Sequence, residues 1–577
     1  MKKNIIKTVK QDAVSQERNN RIKLLPVAIA TVVASMSAPA WSLSFQPTDE
    51  VSVDWDTTLN YSAAWRMSDH NDDLIGSPLG DDGNRNFDKG SMVTNRFSVI
   101  SEMDIRYQNM GAFIRGSAFY DDAYFGKNDN DSPLTNNNIS VAYNEFTDET
   151  KDAHGKKARL LDAFVYGNFE IGERNLNVRV GRQVVSWGES LFISGISTSM
   201  SPSDATKANV AGVEVKDILL PVGQVFAQLD LTDNLNIAAY SQWEWAKTET
   251  NAVGSFFSVT DGLDEGGEQI LPPAIAALAA QGAYQQALAV LRANTGNPDA
   301  TLPAYDQAYS LTRGKDVDAS DSGQWGVAFN YFAEGLGNGV ELGLYYLNYH
   351  EKNPVNVVRS GAYDPYSEQP GGSFNPLNSV TIPQMPTSYH LEYFEDIKLI
   401  GTSFGTLIGD TNVGGELALR KDTTVLDQNG SAMKADTIQA QLSMIHSFGV
   451  TRLADEVLFT GEIGYNKVLG KDKDEIQSTA ELHGSGLAGM VTLKYNNVFP
   501  ATNLEVPISF RHNIDGKSAA GGFTATANNT DRLSIGAKFF YQDQWEAGLS
   551  YNAYFGKAED NAYTDRDYVA LNVKYSF

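Results

Sequence analysis

Between Trp545 and Phe555 the chain reads WEAGLSYNAYF. Taken two residues at a time, Trp545, Ala547, Leu549, Tyr551 and Phe555 fall on one side, and Glu546, Gly548, Ser550 and Asn552 on the other. That is the period of a β-strand with one greasy and one wet face. The pattern recurs along the chain. Trp325, Val327, Phe329 and Tyr331 oppose Gly326, Ala328 and Asn330; Val457, Phe459, Ile463 and Tyr465 oppose Thr460, Glu462, Gly464 and Asn466; Ile438, Ala440, Leu442 and Met444 oppose Gln439, Gln441 and Ser443. The wet face carries charge where Glu102, Asp104 and Arg106 alternate with Met103, Ile105 and Tyr107. Strands of a soluble sandwich also alternate, but they average about 5–6 residues and turn their large groups toward a core. Longer segments of this parity fit a barrel in lipid, with an apolar outside, a closed backbone ladder and a wet inside.

Connection lengths test the idea independently, because outer-membrane barrels pair short periplasmic turns with long external loops. Short links fall at Gln108 to Gly111, Gly172 to Asn175, Thr232 to Asn234, Glu334 to Asn338, Gly409 to Thr411, Gly449 to Leu453, Asn497 to Ala501 and Tyr541 to Gln544. Between them run Met67 to Met92, Phe125 to Ala158, Gly188 to Pro221, Lys247 to Asp321 and Glu351 to Tyr389, then shorter excursions from Asp422, Gly470, Asp515 and Gly556. The expectation is an all-β transmembrane antiparallel barrel of about 18 strands, in a range of roughly 16 to 20, with long external loops and one helical loop insertion. Its first strand runs from Val51 to Arg66, and no long soluble segment that could serve as a TonB-type plug domain comes before it. The last segment agrees: Val569, Leu571, Val573, Tyr575 and Phe577 share one parity against Ala570, Asn572, Lys574 and Ser576. Its terminal aromatic resembles the signal read by the barrel assembly machinery. Tyr107, Tyr541 and Trp545 flank turns, as an interfacial aromatic girdle requires.

Composition narrows the function. The 577 residues include 26 Tyr, 27 Phe and 8 Trp but no Cys, which removes disulfides, thiolate metal sites and cysteine nucleophiles together. Met1 to Lys23 carries seven basic residues against Asp12 and Glu17, and is followed by the apolar run Leu24 to Met36 and the small-x-small site Ala38-Pro39-Ala40. Residues 1–40 are therefore expected to be a signal peptide, the apolar run being too short for a spanning anchor. Residues 41–577 would form the barrel and would carry 38 basic against 69 acidic residues, a formal charge of −31. Such a charge opposes nucleic-acid binding. In the loop at 247–321, Pro273 to about Asn294 is the helix candidate, with Pro at its start and Gly296 beyond its end. The Asp- and Asn-rich loops read as solvated surface. Asp129 and Asp131 are weak metal candidates, since Asn128 to Asp131 lacks the Gly and distal Glu of a calcium loop. No cofactor is expected.

The densest polar and aromatic group lies around LLDAFVYGNFEIGERNLNVRVGRQVVSWGES, Leu160 to Ser190. Arg179 and Gln183 take the inward parity. Arg182 takes the outward one, which asks for a bulge at Gly181 or a place at the membrane rim. With Trp187, Glu189, Asp204, Glu214 and Asp217 they are the lumen or constriction candidates, either a ligand contact or a salt-linked brace for a loop folded inward. The seven His are scattered without a metal-ligand spacing, and the chain is not expected to be an enzyme.

The run Arg179 to Ser190 is similar to the signature of a proteobacterial outer-membrane family known as domain of unknown function 1302. Leu219-Leu220-Pro221, Leu231 to Leu235, Trp243-Glu244-Trp245 and Tyr393 to Ile397 add to the resemblance. The chain departs from the family's Asn-Pro at Ser201-Pro202-Ser203-Asp204, and from its Arg-Pro-Gly at Val210 to Glu214. The resemblance implies an outer-membrane barrel that moves lipids or other hydrophobic or amphiphilic compounds. It also implies two partners, a periplasmic protein of lipoprotein-carrier-like fold and an inner-membrane exporter of the resistance-nodulation-division type. A water-filled porin is the alternative function, and a surface adhesin acting through the long loops is the third.

Overall fold

The computed structural model describes residues 43–76, 80–133, 139–270, 311–361, 385–428, 432–521 and 531–577. The expected signal peptide and the helix candidate at 273–294 lie outside the described residues. Eighteen long strands close into one antiparallel barrel. A short strand, β1 (Leu43–Thr48), precedes them and pairs with the foot of β2 (Val51–Arg66). The wall continues through β3 (Met92–Tyr107), β4 (Met110–Asp121), β5 (Lys156–Ile171), β6 (Arg174–Gln183), β7 (Val222–Thr232) and β8 (Leu235–Gln242). After two loop strands, β9 (Gln269–Ile270) and β10 (Leu311–Arg313), it resumes with β11 (Trp325–Ala333) and β12 (Val340–Tyr349). Two further loop strands, β13 (Val355–Gly361) and β14 (Met385–Glu392), precede β15 (Ile397–Ile408), β16 (Thr411–Leu426), β17 (Ala432–Ser447), β18 (Glu456–Leu469) and β19 (His483–Phe499). The last four are β20 (Thr502–Asp515), β21 (Asp531–Tyr541), β22 (Trp545–Phe555) and β23 (Tyr568–Ser576).

Each wall strand pairs with the next, and β2 closes the cylinder on β23 from Thr58↔Ser576 to Arg66↔Tyr568. No wall strand is left with an open edge, which satisfies the backbone where lipid offers no partners. All eight short links expected from the sequence are turns between paired strands. Gly172 and Gly409 supply the left-handed backbone that the tight turns need, at φ +65° and +60°.

Burial inverts the soluble pattern. On β22, Leu549 and Tyr551 are 55% and 43% exposed, while Glu546 and Asn552 on the opposite parity are 8% and 5% exposed. Apolar side chains thus face outward into lipid, and polar ones enclose the interior. Ion pairs line parts of the inner wall, including Arg106 with Asp54 at 3.2 Å and Arg115 with Asp162 at 2.6 Å. The loop strands form a small separate sheet in the order β13-β14-β10-β9, which nothing in the sequence pattern announced.

Candidate functional site: a loop laid across the lumen

Residues 184–221, which join β6 to β7, carry their chain across the inside of the barrel. Two wall carboxylates catch the loop on the far side. Glu416, on β16, accepts the backbone N–H groups of Glu189, of Ser190 at 2.9 Å and of Ile196 at 3.0 Å. Glu462, on β18, accepts those of Leu191, Phe192 and Ile193 at 3.2, 2.6 and 2.7 Å. A carboxylate holding several N–H donors is a strong, charge-assisted anchor. The glycines of this stretch follow from it. Gly188 has φ +106°, and a Cβ there or on Gly195 would overlap the Glu416 carboxylate.

Between the anchors and β6 the loop packs on an apolar patch of the inner wall. Val185, Ile196 and Met200 join Phe226, Tyr240, Tyr345, Leu347 and Leu399 in one buried cluster. Trp187 packs against it, with ring centroids 5.2 Å from Tyr240 and 6.0 Å from Tyr345. The return leg is polar. Asp204 is fully buried and pairs with Arg159 of β5 and, at 3.8 Å, with Lys207. Burial works against its charge, but Arg159, the Thr206 hydroxyl and Lys207 outweigh it and hold the carboxyl below the usual range. Asn60 and Ser62 on β2 donate to the Ala211 carbonyl at 3.2 and 2.7 Å, and Lys574 on β23 pairs with Glu214 at 2.7 Å.

The lumen candidates named from the sequence fall into separate settings. Trp187 and Glu189 lie on the outbound leg. The Glu189 carboxyl is pushed up by burial and by the neighbouring Glu341 and Glu416. Asp204, Glu214 and Asp217 lie on the return leg, where burial raises Asp217 and Arg115 stands 4.0 Å from it. Arg179 stacks on Phe226 at 4.4 Å, and the amide of Gln183 donates to the Gln224 carbonyl at 3.1 Å. Arg182 lies one residue before the end of β6, paired with Glu244 at 2.9 Å. The register runs unbroken through Gly181 on both sides, so the strand carries no bulge there. Asp129 and Asp131 do not converge: Asp129 accepts from Ser91 at 2.5 Å, whereas Asp131 pairs with Arg85 at 2.9 Å.

Above the loop lies a chamber of about 910 Å³, bounded by the loop, the inner wall and the external loops. Phe192, Leu219, Tyr349 and Val355 give it apolar surface, and Lys352, Arg420 and Arg511 give it positive charge against Glu351. Lys352 is buried, with its ammonium donating to the Ser199 and His350 carbonyls at 2.8 and 3.3 Å. Burial pushes it down to about 8, opposed by Glu351. Arg420 donates to the Gly195 carbonyl at 2.9 Å and so ties the chamber to the loop. Sequence reasoning missed Glu416, the apolar inner patch and this basic lining. One signal was present: in β12, Leu344 and Tyr346 face out, yet Tyr345 and Leu347 on the inner parity are also large and apolar. A strand apolar on both faces marks a wall with something packed inside it.

The model of a family described as protein of unknown function (DUF1302) matches residues 23–577. No curated protein sequence matches the chain. Among solved structures it is similar to Acinetobacter baumannii OccAB4, at 10% identity and a TM-score of 0.41, over 92% of this chain and 100% of that one. Pseudomonas aeruginosa OccK2 in complex with glucuronate is similar at 11% identity and 0.35, over 91% and 98%. Salmonella typhi OmpF in complex with daunomycin is similar at 9% and 0.34, over 93% and 100%.

Proposed function

This chain belongs to the DUF1302 family of proteins of unknown function, and from that premise we propose that it is a gated outer-membrane conduit for a hydrophobic or amphiphilic solute. The chamber carries the reading. Its volume, about 910 Å³, is in the range of ligand pockets, and it joins apolar side chains to a basic cluster. Inside a chain of net charge −26, that cluster favours a solute with an acidic head and a greasy body. Handover to or from a periplasmic lipoprotein-carrier-like protein and a resistance-nodulation-division exporter belongs to the same proposal and rests on the family resemblance. The runner-up is a water-filled porin, favoured by the ion-paired inner wall at Arg106 and Arg115.

Planar-bilayer recordings separate the two. A gated conduit gives small, infrequent currents that long-chain carboxylates block. Large, steady, weakly selective currents, unaffected by amphiphiles, would favour the porin. Gentle-detergent purification tests the partnership, and recovery of the barrel alone counts against it.

A further inference from the structure

Two external loops meet at three carboxylates. Asp81 and Asp82 lie between β2 and β3, and Asp261 lies beyond β8. All three are buried, and one oxygen of each lies within 4.8 Å of those of the other two. Asp261 Oδ2 accepts the backbone N–H groups of Asp81 and Asp82 at 3.0 and 3.4 Å. Its Oδ1 is buried with no hydrogen-bond partner, on a residue with 0% exposure. Oxygen atoms of the second loop crowd the first: a Cβ on Gly80 would lie 2.8 Å from the Val259 carbonyl oxygen.

Among the described residues, the nearby cations have other commitments as well. Arg85 pairs with Asp81 at 2.5 Å and shares itself with Asp131, while the Asn130 amide donates to Asp82 at 3.3 Å. The Arg566 guanidinium is directed at the Phe256 and Ser258 carbonyls and at Asn84. Three carboxylates buried this close repel one another, and Arg566 acts on Asp261 only through space while bonded to those carbonyls, so holding them together out of water is costly unless protons or a cation offset their charge.

We propose that Asp81, Asp82 and Asp261 form a calcium site that clasps these two external loops together. The donors are all hard oxygens, with no imidazole or thiolate, which selects calcium or magnesium over zinc or copper. Three protein carboxylates gathered in a buried site suit calcium, which accepts irregular shells of protein oxygens, better than magnesium, which demands near-ideal octahedral geometry and keeps several waters. Backbone carbonyls and water would complete the shell. The site does not depend on the transport reading, because its role is to fix loops.

The test uses the protein lacking residues 1–40, refolded in detergent without lipopolysaccharide, with radioactive calcium in equilibrium dialysis. Wild type is expected to retain one tightly held calcium. Asp261→Asn and, separately, Asp82→Asn are expected to weaken it at least tenfold while keeping the heat-modifiable mobility of a folded barrel. Wild type retaining no more calcium than folded Asp261→Asn would overturn the site. Equal competition by magnesium would overturn the assignment of the ion. Should a variant fail to fold, wild type alone decides: calcium must slow proteolysis of these loops relative to chelator, and equal cleavage rates would overturn the clasp.

Discussion

Replacing both Glu416 and Glu462 by alanine removes the acceptors of six backbone N–H groups in the loop across the lumen, three for each carboxylate. Water can replace them in an open lumen, so each bond is worth roughly 1 kcal/mol net rather than its gross strength. One anchor then contributes about 3 kcal/mol and both about 6 kcal/mol. At about 1.4 kcal/mol per factor of ten, a single substitution raises the displaced-to-docked ratio about a hundredfold, and the pair about ten-thousandfold. The apolar cluster around Ile196 and Met200 stays in place and limits the displacement to the tip. In planar bilayers, each single variant is expected to show more frequent large openings than wild type, and the double variant is expected to be open most of the time. Protease added from the loop side should cut residues 188–196 in the same order. A double variant that folds, yet keeps wild-type conductance and protease resistance, refutes the anchoring argument.

Lys352 carries charge below about pH 8 and loses it above, because burial lowers its affinity for protons; in the unfolded chain it would stay charged to higher pH. Preference for anions over cations in reversal-potential measurements is therefore expected to fall as pH rises through about 8, and a fall that persists in Lys352→Met contradicts the assignment. Gly188→Ala places a Cβ on the Glu416 carboxylate at a positive φ and should loosen the loop tip by about 1–3 kcal/mol, seen as faster proteolysis. Gly172→Ala, in an open turn with nothing within 4 Å, should leave the loop unchanged. Phe577 closes the barrel by exchanging backbone bonds with Thr57 at 2.7 and 3.0 Å. Its deletion should lower the amount of protein in the outer-membrane fraction, and undiminished assembly would count against recognition of the terminal aromatic by the assembly machinery.

The wall was legible because a period of two is a local property. Trp545 to Phe555 states which side is greasy without reference to anything distant, and the turns that reverse each strand are equally local. The anchors were not legible, because Glu416 and Glu462 are single acids on wet faces, and such acids are ordinary in a barrel interior. Their partners are backbone N–H groups of a loop more than 200 residues earlier in the chain, and no side-chain pattern encodes those groups. Asp204, Glu214 and Asp217 were visible as polar residues in a suggestive loop, but the sequence offered no means of separating them from Trp187 and Glu189. Only the path of the loop does that, by sending one leg toward β16 and the other toward β2 and β23. The carboxylates that do converge, Asp81, Asp82 and Asp261, were overlooked in favour of Asp129 and Asp131 because the two halves come from different loops.

The crossing of the lumen itself can be measured directly, since a chain with no Cys gives disulfide trapping no background. Ile193 lies at the far end of the loop, and a Cβ on Gly464 of β18 would stand 2.8 Å from its Cδ1. Ile193→Cys combined with Gly464→Cys is predicted to cross-link in intact cells under mild oxidation as readily as a control pair at the facing wall positions Ser534 and Asn552. A control pair that forms while the loop pair stays reduced would show that residues 184–221 do not cross the barrel.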